Sequence, residues 1–168
     1  MLAYSELIRA GIVLAMLIIA TICDLTTRKI PNWLTLPALL FGICMTGYYS
    51  PEKTKELVIF FGVFFMMGCI GVTGWGDIKC VMAVASFVGW FPATISFVVA
   101  NIFLFVRYMI FTPKEAINNL KDNAKQLITA NVKIDETKPK HIFAPFLLAG
   151  YVVATTVLFI IQKMEGAI

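Results

Sequence analysis

Long, continuous apolar runs separated by short polar breaks occupy most of the chain. Six runs stand out, at about 7–23, 33–49, 57–73, 78–91, 92–111 and 142–161. They do not alternate polar and apolar positions as the strands of a membrane barrel do. Several approach the length needed to cross a bilayer, and a backbone in lipid has to satisfy its own hydrogen bonds. The pattern therefore predicts helices. The breaks are short: "SPEKTKE" at 50–56 reads as a polar turn, and "WFP" at 90–92 separates the fourth run from the fifth, with Pro92 suited to starting a helix. All seven prolines lie at or near element ends except Pro37 and Pro145.

Residues 112–140 are the one long polar stretch. "TPKE" reads as a helix start, with Thr112 as N-cap, Pro113 at the first helical position and Glu115 closing a capping box. Ile117, Leu120, Ala124, Leu127 and Ile128 then recur at helical spacing, while Lys114, Lys121, Asp122 and Lys125 take the other face. This predicts an amphipathic helix, lying on the membrane surface or packed on the protein's own loops. "NVKIDETKPK" reads as a linker.

Composition agrees with a membrane protein. Of 168 residues 60% are hydrophobic and only 14% charged, against about a quarter charged in soluble domains; the mean hydropathy is +0.85. The expected fold is an all-α polytopic membrane protein, one domain over 1–168, with six transmembrane helices and a cytoplasmic amphipathic helix. No A-x-A-like cleavage site follows the first run, so it reads as a retained span and not a signal peptide. Cys23, Cys44, Cys69 and Cys80 form no C-x-x-C pair, so neither a zinc site nor a disulfide framework is indicated.

The net charge of +4 matters less than its distribution. Alternating the spans puts Arg28, Lys29, Lys79, Arg107, Lys114, Lys121, Lys125, Lys133, Lys138 and Lys140 on one side, and Arg9, Lys53, Lys55 and Lys163 on the other. Positive residues favour the cytoplasm. Both termini are then expected outside, with the 24–32 loop, the turn before the fourth run and the 112–140 segment inside.

Two carboxylates fall at that cytoplasmic edge. Asp24 ends the first run, in "CDLTTRKIPNWLT", and Asp77 opens the fourth, in "GWGDIKC". Ionisable residues at membrane depth are rare and usually functional. Residues 77–90 would span only about 21 Å as a helix, less than the roughly 30 Å hydrocarbon core, so Asp77 is expected below the surface. Two such carboxylates a few ångströms apart cannot both ionise cheaply. The ionised member can take a proton from water and the protonated member can donate to a peptide carbonyl. That chemistry calls for no cofactor and no metal. Gly74 and Gly76 allow a sharp turn and close approach of another backbone, and Trp75 suits an interface. Plainer roles fit the same residues: Asp77 as a helix cap, Asp24 as an ion-pair partner of Arg28 at i+4. Arg28, Lys29 and Lys79 read as edge charges that snorkel, tune the aspartates or meet substrate or anionic lipid. His141 reads as a structural interface residue, Asn101 as an interhelical hydrogen bonder and Arg107 as a boundary charge.

"GWGDIK" resembles the Gly-x-Gly-Asp signature of intramembrane aspartic proteases, and "DLTTRKIPNWLT" resembles the first catalytic motif of the type IV prepilin peptidases. "FAPFLLAG" at 143–150 is similar to the entry of their last span. The resemblance extends over essentially the whole chain. It implies an enzyme that removes the leader from prepilin-like proteins at the cytoplasmic face of the inner membrane, with Asp24 and Asp77 as its catalytic pair. The implied partners are a prepilin-like substrate carrying a hydrophobic helix and membrane lipid, with no nucleic acid. The chain lacks the C-x-x-C domain of the bifunctional members, so it is similar to the short, peptidase-only type that serves tight-adherence (Flp) pili or archaeal flagellins and pilins, and methyltransferase activity is not implied. Cys80 stands where the family often has a large aliphatic residue. The Tyr-Asp pair of the presenilin-like branch is absent, and Pro-Ala-Leu occurs only at 37–39, inside the second run and ahead of the Gly-x-Gly-Asp stretch. Two other classes fit the carboxylates: a small proton- or cation-coupled transporter using Asp24 and Asp77, whose site is expected nearer the bilayer midplane, and a non-catalytic scaffold of a secretion system.

Overall fold

A computed structural model describes residues 2–49, 51–69, 74–111 and 142–165. Six helices account for most of the described residues: α1 (Leu2–Thr27), α2 (Asn32–Tyr49), α3 (Pro51–Cys69), α4 (Trp75–Val88), α5 (Trp90–Phe111) and α6 (Ala144–Glu165), with no strand among those residues. Each apolar run of the sequence corresponds to one helix. Three of them, α1, α5 and α6, are long and apolar enough to cross a membrane. The surface helix expected over 112–140 lies outside the described residues.

Two boundaries differ from the sequence reading. The "PEKTKE" stretch is not a turn but the opening of α3, with Pro51 at the first helical position and Glu52 in the first turn. Polarity there marks a helix end away from the core, and Pro51 needs no N–H at a position where the helix uses none. The break between the fourth and fifth runs falls one step earlier than "WFP". Gly89 takes φ of 91°, and its N–H closes the end of α4 on the Ala85 carbonyl at 2.9 Å. A backbone with positive φ is cheap only for glycine. Pro92 then sits in the first turn of α5. Pro37 lies inside α2.

The shortest helix is the centre of the bundle. Over its 14 residues α4 packs against every other described helix. It buries Ile78, Cys80, Val81, Ala83, Val84, Ala85, Ser86 and Phe87, on all sides rather than along one stripe. A helix hydrophobic all round belongs in a core. Exposed apolar side chains lie instead on the outer faces of the other helices, such as Ile18, Phe41, Ile59, Val98 and Phe159, as expected where lipid is the solvent.

Close approach needs small residues. Any Cβ at Gly42 of α2 would run into Ser86 of α4, and any Cβ at Gly150 of α6 would run into the α5 backbone at Ser96 and Ala100. These contacts, with Tyr151 donating to the Ala10 carbonyl at 3.3 Å, set α6 antiparallel to both α1 and α5. At one end of the bundle the last turns of α1, α3 and α5 meet the first turns of α2, α4 and α6. At the other end the Trp90 indole donates to Glu56 at 2.9 Å.

Candidate active site

Asp24 arrives at the crowded end because of where it lies on α1. Val13, Met16, Leu17, Ala20 and Asp24 follow one another at helical spacing and are the buried positions of that helix over residues 6–27. The carboxylate thus projects from the core stripe and is only 3% exposed. Its Oδ2 accepts two backbone hydrogen bonds from the head of α6, from Phe143 N–H at 2.8 Å and Ala144 N–H at 3.0 Å.

No ion pair with Arg28 forms. Arg28 is exposed and adopts φ of 52°, just past the end of α1, with its N–H on the Asp24 carbonyl at 3.0 Å. A non-glycine residue in that conformation closes the helix and sends its side chain away from the buried carboxylate. Lys29 is exposed as well.

Asp77 comes from the first turn of α4, behind Gly74, which serves as N-cap. The expectation that Asp77 caps α4 fails: the capping position is three residues earlier and has no side chain. The glycine matters nonetheless, because a Cβ at Gly74 would lie 3.1 Å from Asp77 Oδ2. Gly76 faces Ile30, 3.9 Å from where its Cβ would be, so the turn before α4 lies against the α1–α2 loop. Asp77 is half-buried, and no described residue donates a hydrogen bond to its carboxylate. The two carboxylates are close enough to act on each other electrostatically. Cys80, three residues along α4 from Asp77, is fully buried.

Lys79 faces neither aspartate. Its Nζ donates to Asn32 Oδ1 at 3.1 Å, tying the first turn of α4 to the first turn of α2. Two sequence motifs distant in the chain are thereby joined by Lys79 with Asn32, and the same junction brings Asp77 within electrostatic reach of Asp24. Asn101 bonds within its own helix, to the Phe97 carbonyl at 2.8 Å, and not to a neighbouring helix as expected. Arg107 is more than a boundary charge: its guanidinium lies 5.6 Å over the Phe146 ring, beside the head of α6. Thr21 and Thr35 carry buried hydroxyls with no hydrogen-bond partner. The α6 amides are the group that the sequence reading missed. "FAPF" was noted there for its likeness to a span entry, but no local pattern could pair it with Asp24.

A family model described as the type IV leader peptidase family matches residues 11–110. That stretch holds both aspartates and ends before α6. Neither a curated protein nor a solved structure matches the chain.

Proposed function

The chain belongs to the type IV leader peptidase family, and on that premise we propose that it is an intramembrane aspartic endopeptidase that cuts the leader from prepilin-like precursors. The observation that carries this reading is the meeting of Asp24 and Asp77 at one end of the helix bundle, within electrostatic reach of each other. Each supplies what peptide hydrolysis needs. A pair of neighbouring carboxylates shares a proton. The ionised member takes a proton from water as the oxygen attacks the scissile carbonyl, and the protonated member donates to the carbonyl oxygen. Collapse of the tetrahedral intermediate breaks the C–N bond, and the departing amine leaves with a proton from the pair.

The placement of the pair favours this over ion transport, which uses sites nearer the middle of the bilayer. It also favours a substrate whose scissile bond lies at the membrane edge, next to its hydrophobic helix. The distribution of Lys and Arg along the chain supports an inner-membrane enzyme with its site at the cytoplasmic face and both termini outside. A reporter fused within 112–140 is expected to work in the cytoplasm; activity only outside it overturns that orientation.

The chemistry is tested by co-expressing the chain with a prepilin-like protein and following the mobility shift of leader removal. Asp24→Asn and Asp77→Asn are each expected to abolish cleavage while the protein still accumulates in membranes. The double variant should be no worse than either, because residues acting as a unit are non-additive. Cleavage at near wild-type rate by either variant ends the aspartic reading.

A further inference from the structure

Among the described residues Asp24 is held by a stretch of backbone and not by a side chain, and the amides of residues 143–147 at the head of α6 can be accounted for. A helix leaves its first N–H groups without internal partners. Here the N–H groups of Phe143 and Ala144 go to Asp24 Oδ2. The next residue, Pro145, has no N–H. The N–H of Phe146 bonds the Phe143 carbonyl at 3.0 Å, and that of Leu147 bonds the same carbonyl at 3.1 Å. Asp24 is therefore the cap of a helix that begins 120 residues later.

We infer that the Phe143–Ala144 stretch is a positioning element of the peptidase site, which fixes the orientation of the Asp24 carboxylate and decides which of its oxygens faces the reaction. The inference rests on the reading of Asp24 as a catalytic residue. Both amides reach Oδ2, and no described residue donates to Oδ1, so Oδ1 is the oxygen left to work on water. The position of the amides is itself fixed. The Phe143 ring, buried to 3% exposure, packs on Phe97 at 5.9 Å; Phe97 meets Phe64 edge-on at 5.1 Å; Phe64 meets Phe60 at 4.4 Å. One turn on, Phe146 lies under Arg107. Gly150 then rests on the α5 backbone, which prevents α6 from moving inward. A row of rings running through α3 and α5 thus ends at the peptide that orients Asp24. A misplacement of about 1 Å in a catalytic group can cost about a hundredfold in rate, so a seat of this kind bears on turnover.

Ala144→Pro tests the inference on the full-length protein. Proline suits the first helical position and deletes one donor while keeping the backbone helical, and its ring enters a fully buried position, so activity is read per folded protein. The readouts are kcat and KM on a prepilin-like substrate, together with the melting temperature in the same detergent. The expected result is kcat per folded protein reduced about tenfold or more, the scale of one hydrogen bond to a charged group, with KM within about twofold of wild type and a lower melting temperature that still leaves the protein folded at the assay temperature. Wild-type kcat in Ala144→Pro, beside an inactive Asp24→Asn, overturns the inference and leaves the peptidase reading intact. An active Asp24→Asn overturns both. If Ala144→Pro does not accumulate, a second pair decides. Phe143→Ala should lose kcat at unchanged KM, and Phe143→Leu, which refills the space, should restore it. Equal activity in that pair, or activity that falls only in step with folded protein, overturns the inference.

Discussion

Asp24 reaches the site from the last turn of a long helix, and Asp77 from the first turn of the shortest one. For a carboxylate these are opposite positions. The C-terminal end of a helix carries partial negative charge and the N-terminal end partial positive charge. Asp77 sits at the favourable end of its own helix and accepts no hydrogen bond from the described residues. Asp24 sits at the unfavourable end of α1, and the offset comes from elsewhere, from the N-terminal end of α6 aimed at its Oδ2. Burial follows the same division, with Asp24 enclosed and Asp77 half-open. One carboxylate is thus built into the packing, and the other is presented on a glycine-flanked turn. Equal importance to a reaction does not require equal importance to the fold.

Alanine substitutions break that comparison most sharply. Asp24→Ala and Asp77→Ala are both expected to abolish cleavage, but only the first leaves two buried N–H groups unsatisfied. Such groups cost about 1–3 kcal/mol each, so Asp24→Ala should lower thermal stability in detergent clearly more than Asp77→Ala. Equal melting temperatures would mean that the α6 cap contributes nothing to folding. A smaller effect sharpens the other half of the comparison. Lys79→Met removes the bond to Asn32 that joins the α4 and α2 starts near Asp77. The bond is partly exposed, so the expected loss of stability is below about 1 kcal/mol, with a severalfold fall in cleavage. Asn32→Ala should match it, and the double variant should be no worse than either. Additive losses would show that Lys79 acts on something other than Asn32.

The sequence made Asp77 and its turn legible, because a glycine-rich break between two apolar runs is a local signal. It made Asp24 visible as a charge at the edge of a run, but its core position required counting from Val13 in steps of a helix turn. The cap on Asp24 was out of reach, since Phe143 and Asp24 are related only by how α1 and α6 pack. The α4–α5 break was misplaced for a different reason: proline drew attention to "WFP", whereas Gly89 held the decisive backbone angle. The polar start of α3 reads as a turn from sequence because polarity and helix ends coincide at a membrane edge. Arg28 and Lys79 both read from sequence as edge charges, yet one terminates a helix and the other joins two.

The bond between Asp24 and the head of α6 also sets an order of events. The chain is made from its N-terminus, and α1 enters the membrane while most of the protein does not yet exist. Until Phe143 and Ala144 emerge, Asp24 lacks the two amides that seat it, and α1 to α5 hold an incomplete centre. Contacts between residues so distant in sequence form late and slowly. The seat of Asp24 therefore exists only once α6 has docked, and the proposed aspartate pair gains its geometry at that step and not when α1 and α4 first meet.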